Sequence, residues 1–300
     1  MLTEQICTYL ALERGLGRSL KKEESFLRSF AGFAKARGEA HVRNETAILW
    51  AGGARSPYQR ERRLDVLRRF ARYVHIEDAA HEIPPAGVFA TRRRPRRVPH
   101  IYSEDEISRI LTAASRLGPA GSLRPHTFAV IFGLLAATGL RVSEVLALRV
   151  GDIIEDRLLV RRTKFRKTRL IPVHESTSTT LQRYLLARAA VAPNDDHVFV
   201  SLRGRGLRYP TVLHTFRSLC AVAGLGSRPH IHDLRHTFAV RALEASPQEG
   251  RGRIGRHMRA LSLYLGHTCV ADTYWYCHAT PNLMRDIADA AERHFAGGTP

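Results

Sequence analysis

One short segment constrains the architecture more than any other. From Thr91 to His100 the chain reads Thr-Arg-Arg-Arg-Pro-Arg-Arg-Val-Pro-His, with five arginines in positions 92–97 and prolines at 95 and 99. Proline fixes φ, lacks a backbone donor and drives the residue before it out of the helical region, so this stretch is extended. A run of guanidiniums is equally unsuited to an apolar core. A chain interrupted in this way folds as two bodies. The expected division is a domain over 1–91, a basic linker over 92–99 and a second domain over 100–300. Three hundred residues suit two domains at about 100–200 residues each.

Before the linker the apolar pattern is helical. Phe26, Leu27, Phe30, Phe33 and Ala34 recur at three- and four-residue spacing, which predicts a helix over 21–37 with one buried stripe. Leu64, Leu67, Phe70 and Ala71 do the same over 58–73, with Arg60, Arg62, Arg63, Arg68, Arg69 and Arg72 around them. Shorter helices are expected over 3–13 and 45–51. The result is a small all-α bundle with a basic surface.

After the linker the pattern is mixed. Ser103 followed by Glu106 has the form of a capping box. The apolar run from Phe128 to Ala137 is a buried helix that stops at Thr138-Gly139. Residues 158–160 and 169–173 read as two strands joined by a basic hairpin tip. Helical periodicity returns over 178–190, 211–223, 234–245 and 283–295, whereas the Gly- and Arg-rich stretch 246–257 reads as a flexible basic loop. The expected class is mainly α with a small antiparallel sheet.

Composition narrows the partner. There are 47 Lys+Arg against 28 Asp+Glu, a net charge of +19. Residues 1–99 carry 20 against 11 and residues 100–300 carry 27 against 17, so both bodies are basic rather than one tail. That distribution points to a polyanion, most economically a nucleic acid, although a proteome-wide basic bias would give the same total. The chain start contains Glu4 and Glu13 and no apolar run, so no secretory signal is read. The longest apolar stretch, 128–140, falls short of the roughly 20 residues of a membrane span. Cys7, Cys220, Cys269 and Cys277 form no CxxC pair, and no HExxH is present, so neither a structural metal nor a cofactor is expected. A cytoplasmic, nucleoid-associated protein is the corresponding expectation.

Four clusters carry chemistry. Gly139-Leu140-Arg141-Val142-Ser143-Glu144 sets an arginine at a helix opening with Glu144 three residues on, where it can orient the guanidinium. Lys164 lies in the basic tip. His232 and Arg235 share a helical face, and Tyr264-Leu265-Gly266-His267 precedes Tyr276 by nine residues from His267. In this order and near these spacings the clusters resemble the tyrosine recombinases, the phage-integrase and Xer-like family, over about residues 100–290. The run from Tyr264 through Tyr276 also looks like recombinases of small mobile elements that carry several recombinase genes together. The N-terminal bundle is similar in kind to the family's helical core-binding (SAM-like) domain, which would leave an α+β catalytic domain after the linker.

The resemblance implies site-specific cleavage and rejoining of duplex DNA through a 3′-phosphotyrosyl link, without metal or ATP. Arg141, Lys164, His232, Arg235, His267 and Tyr276 are its catalytic residues in this chain. Family spacing favours Tyr276 over Tyr274 and Lys164 over Lys167. His230 and His236 are read as helix-start and core or surface histidines. The residue types suit the chemistry independently. Two guanidiniums can each chelate nonbridging phosphate oxygens, which lysine cannot. Histidine supplies donors or proton transfer near neutrality, and a lysine on a hairpin tip can protonate a leaving oxygen. Arg92, Arg93, Arg94, Arg96 and Arg97 would grip flanking phosphates. The resemblance further implies a tetramer on paired sites, with accessory recombinases as candidate partners, and a C-terminal helix over 281–295 that passes to a neighbour through Leu283, Ile287, Ala288, Ala291 and Phe295. Two rival readings are a type IB topoisomerase and a non-catalytic DNA-binding regulator descended from a recombinase.

Overall fold

The structure, a computed structural model, describes residues 2–18, 20–89, 97–161, 168–192, 194–226, 229–245, 251–266, 269, 273 and 276. The chain forms two compact units, Met1–Arg96 and Arg97–Pro300.

The first unit contains α1 (Leu2–Gly15), α2 (Lys21–Ala36), α3 (Asn44–Gly52) and α4 (Pro57–Glu77). Leu27, Phe30 and Ala34 of α2 are buried as their spacing predicts, against Trp50 of α3 and Leu64, Leu67, Phe70 and Ala71 of α4. Each large side chain so buried contributes about 1.5–3 kcal/mol. Ser56 caps α4 by accepting the Gln59 N–H, and Pro57 occupies the first turn, where its missing donor costs nothing. The helix runs one turn past the expected end at 73 because Val74, fully buried, continues the stripe. Its arginines are not uniformly free. Arg63 lies over the Trp50 ring at 5.3 Å and Arg60 donates to the Ala54 carbonyl, whereas Arg69 and Arg72 are exposed.

The second unit opens with Arg97–His100 and α5 (Glu104–Ser115), whose Ser103–Glu106 capping box is complete. Then come α6 (Arg124–Thr138), α7 (Val142–Ala147), a 3-10 turn at Val150–Asp152, and the strands β1 (Ile153–Ile154), β2 (Arg157–Val160) and β3 (Arg169–Pro172). The sheet is antiparallel in the order β1-β2-β3, with Leu158 opposite Ile171 and Val160 opposite Arg169. Alternation buries Leu158, Val160 and Ile171. The two-residue β1 is too short to show a sequence period. The expected hairpin tip, 162–167, lies outside the described residues. The helices α8 (Glu175–Val191), α9 (Tyr209–Val222), α10 (Asp233–Glu244) and α11 (Arg251–Leu265) follow.

The structure corrects the loop reading of 246–257. Residues 246–250 lie outside the described set, but the chain is helical from Arg251. Met258, Leu261 and Leu265 repeat at helical spacing and pack on Ala239, Val240 and Leu243 of α10. That tertiary contact outweighs the local cost of Gly252 and Gly255, about 1 kcal/mol each relative to alanine. The expected helix over 281–295 lies outside the described residues. Among the described residues no helix is long and apolar enough to cross a membrane.

Candidate active site

The site is assembled where α6, α7, α10, α11 and β3 meet. Gly139 ends α6 in the left-handed region at φ +60°, and a Cβ there would stand 2.4 Å from Cδ1 of Phe238 on α10. Only glycine meets both the backbone and the spatial demand. The turn delivers Arg141 to the N-cap of α7, and Glu144 folds back on it. Glu144 Oε2 accepts the Arg141 backbone N–H at 3.0 Å, and Oε1 accepts Nη1 at 2.8 Å. The expected Arg141–Glu144 pair is therefore present.

Glu144 has a second partner absent from the sequence reading. Arg169 on β3 donates through Nη1 to Oε1 at 3.2 Å and through Nη2 to Oε2 at 3.0 Å. Burial alone would raise the carboxyl pKa; the Arg169 hydrogen bonds, the Arg141 backbone and the Arg169 charge outweigh it and hold the group below its ordinary range. One signal in the sequence could have found Arg169. It stands two positions before Ile171, on the face of β3 that turns inward.

Three guanidiniums meet the end of α11. The last carbonyls of a helix lack intrahelical donors and carry partial negative charge. Arg169 Nε donates to the Tyr264 carbonyl at 2.9 Å, Arg235 Nη2 to Leu265 at 2.7 Å, and Arg141 Nη2 to Gly266 at 3.3 Å. Arg235 Nη1 also donates to the Gly139 carbonyl at 2.7 Å, so this buried side chain ties the α6 turn to the α11 terminus. Gly266, at φ +68°, lies so close to Arg169 that a Cβ would approach its Nη1 to 2.8 Å. The Gly-Leu-Arg and Leu-Gly elements are thus parts of one bonded network.

His232 precedes α10, and Tyr276 is buried against it with Val240, Leu243 and Met258. Tyr276 lies close enough to Arg235 to interact with it electrostatically. Burial pushes the Arg235 pKa down, and the Tyr276 oxygen opposes that shift while Arg141 adds to it. His232 is driven down to about 4, first by desolvation and then by His236, Arg235 and Arg141. As a residue it is exposed, so solvent limits the desolvation share; the adjoining cations sustain the direction, and the ring is neutral at pH 7.

Lys164, His267, Arg92, Arg93, Arg94 and Arg96 lie outside the described residues. Arg97 is placed on both carboxylate oxygens of buried Asp233 at the start of α10, rather than standing clear as a linker residue. Two clusters have metal-ligand proximity among the described residues, His41 with Asp78 and His81, and Asp195 with Asp196 and His197. In the first, the Val42 N–H donates to His81 Nδ1, so the neutral ring carries its proton on Nε2 and offers no lone pair there. In the second, Arg149 already pairs with Asp196 and His197. Neither arrangement favours a cation.

Converging arginines, a neutral histidine and a buried phenol beside a guanidinium define a protein built to act on a phosphoester. The family model of the phage integrases matches residues 101–282. An integrase/recombinase of Sinorhizobium fredii (y4rB) is 35% identical over 97% of this chain and 97% of its own length. Tyrosine recombinase XerC of Alcanivorax borkumensis is 32% identical over 77% of this chain and 72% of its own length. The fold is also that of the Tn1549 transposon integrase in complex with transposon right-end DNA, at TM-score 0.65, 18% identity, and 98% and 99% coverage of the two chains. The chain belongs to the phage integrase family of tyrosine recombinases, and it is a site-specific DNA strand-transferase.

Proposed function

We propose that the chain cleaves and rejoins duplex DNA with Tyr276 as nucleophile. The observation that carries this reading is that Tyr276 is buried against α10 and interacts electrostatically with buried Arg235, which sets the phenol beside a fixed cation. The phenol oxygen attacks the scissile phosphorus, the bond to the 5′ oxygen breaks, and a 3′-phosphotyrosyl link forms. That link keeps the bond energy for religation, so no ATP is needed. Arg141 and Arg235 donate to the nonbridging oxygens, where charge grows in the transition state; loss of one such donor typically costs about 100- to 1000-fold in rate. His232, neutral at pH 7, is available to accept or donate a proton, and His267 adds a second imidazole. Lys164 protonates the departing 5′ oxygen. Arg169 and Glu144 hold Arg141 in register.

The N-terminal bundle, with exposed Arg69 and Arg72 on α4, serves as the second DNA-gripping body, joined through the 92–99 linker. The working form is a tetramer on paired sites, completed by the 281–295 segment of a neighbour, and the setting is a mobile element whose sister recombinases act as accessory partners. Binding to duplex DNA should fall steeply with salt, because phosphate contacts release counterions. The test is a nicked suicide duplex from the DNA flanking the coding sequence. A covalent protein–DNA adduct is expected, and it is lost in Tyr276→Phe. No adduct with any flanking duplex would refute strand transfer, and site-independent plasmid relaxation would favour a topoisomerase.

A further inference from the structure

α10 carries a histidine that the chemistry above leaves idle. His236 follows Arg235 and lies one turn beyond His232, so the two imidazoles share a face, with ring centres 5.1 Å apart and planes at 87°. Its other neighbour is Tyr276, whose ring centre lies 5.2 Å away with the planes at 60°. Three rings therefore run in a row from the start of α10 to the phenol. Within that row, His236 Nδ1 is buried and has no hydrogen-bond partner among the described residues. A buried polar atom left unpaired costs stability, and phenylalanine would pack against Tyr276 without that cost. Burial lowers the His236 pKa, so the ring is neutral at pH 7 and one nitrogen is free to accept.

We propose that His236 is a positioning residue for Tyr276: its ring fixes the phenol edge-on beside Arg235, and its Nδ1 gains a hydrogen-bond partner only when DNA fills the site. The proposal rests on Tyr276 being the nucleophile. It assigns a use to the unpaired nitrogen and explains why an imidazole rather than an apolar ring stands there.

Single-turnover cleavage separates the two parts of the side chain. The substrate is a nicked suicide duplex that the unmodified full-length chain cleaves, and the variants are His236→Phe, His236→Asn and Tyr276→Phe. Phenylalanine keeps a ring and loses the nitrogens, whereas asparagine restores a polar atom near the δ position. His236→Phe is expected to bind the duplex within twofold of the parent and keep its melting transition. Its adduct should form about 10- to 100-fold more slowly, the scale of loss from a misplaced reactant. His236→Asn should be faster than His236→Phe. An adduct rate for His236→Phe within twofold of the parent would overturn the role of the nitrogen. Parallel losses of melting temperature, binding and rate, or His236→Asn no faster than His236→Phe, would reduce His236 to packing and overturn it as well. An adduct that persists in Tyr276→Phe would instead refute the nucleophile assignment, and with it this proposal.

Discussion

Replacing Arg169 by methionine tests whether the site is built around Glu144. The Arg169 and Glu144 side chains are 13% and 5% exposed, so the pair is largely desolvated. The substitution removes both Arg169 hydrogen bonds to the carboxylate and the donor to the Tyr264 carbonyl. Glu144 would keep the Arg141 backbone N–H and Nη1. Removing one partner of a buried ion pair costs roughly 3–5 kcal/mol, and retention of Arg141 places this case near the lower end, about 3 kcal/mol. For a unit of this size each kcal/mol moves the melting temperature by about 2–4 °C, so a drop of about 6–12 °C is expected. Calorimetry of the full chain is the assay. The paired variant Glu144→Gln/Arg169→Met should recover part of the loss, since a neutral amide needs no counter-charge. A shift below 2 °C for Arg169→Met, or strictly additive effects in the double variant, would refute the reasoning.

Three other outcomes are expected. Gly139→Ala should cost about 2–4 kcal/mol in urea unfolding, combining left-handed backbone strain with overlap at Phe238; a loss under 0.5 kcal/mol would show that the turn relaxes. The depressed Glu144 pKa stabilises the fold above the ordinary value of 4.5 and is lost as pH falls through the lower folded value, so Glu144→Gln should flatten the acid limb below pH 4.5, and an unchanged limb would contradict the network. His232, lowered to about 4 from 6.5, binds protons in the unfolded chain first, so its contribution to stability declines as pH falls from 6.5 to 4; an NMR titration midpoint above 6.5 would contradict that sign.

Local signals in the chain are those that depend on neighbours along it. The apolar spacing of Leu27, Phe30 and Ala34, the Ser103–Glu106 box and the Gly139 stop each follow from rules acting within one or two turns, and each is present. The Arg141–Glu144 pair belongs with them, because three residues at a helix start fix its geometry. Helix α11 was illegible for the opposite reason. Glycine and arginine content argues for a loop until the apolar face of α10 is supplied. The meeting of His236 with Tyr276 is equally invisible in the sequence, because the two rings stand forty positions apart along the chain.

The sequence alone determined which residue types could meet a phosphate, that both halves of the chain are basic, and where helices such as α2, α4 and α6 would form, since composition and short-range periodicity are properties of the chain itself. Only the tertiary structure decided that Arg169 shares Glu144 with Arg141, that Arg235 joins the Gly139 turn to the end of α11, and that Arg97 is paired with Asp233. Those contacts span up to 136 positions, and hydrogen bonds to backbone carbonyls leave no mark on the residues that supply them.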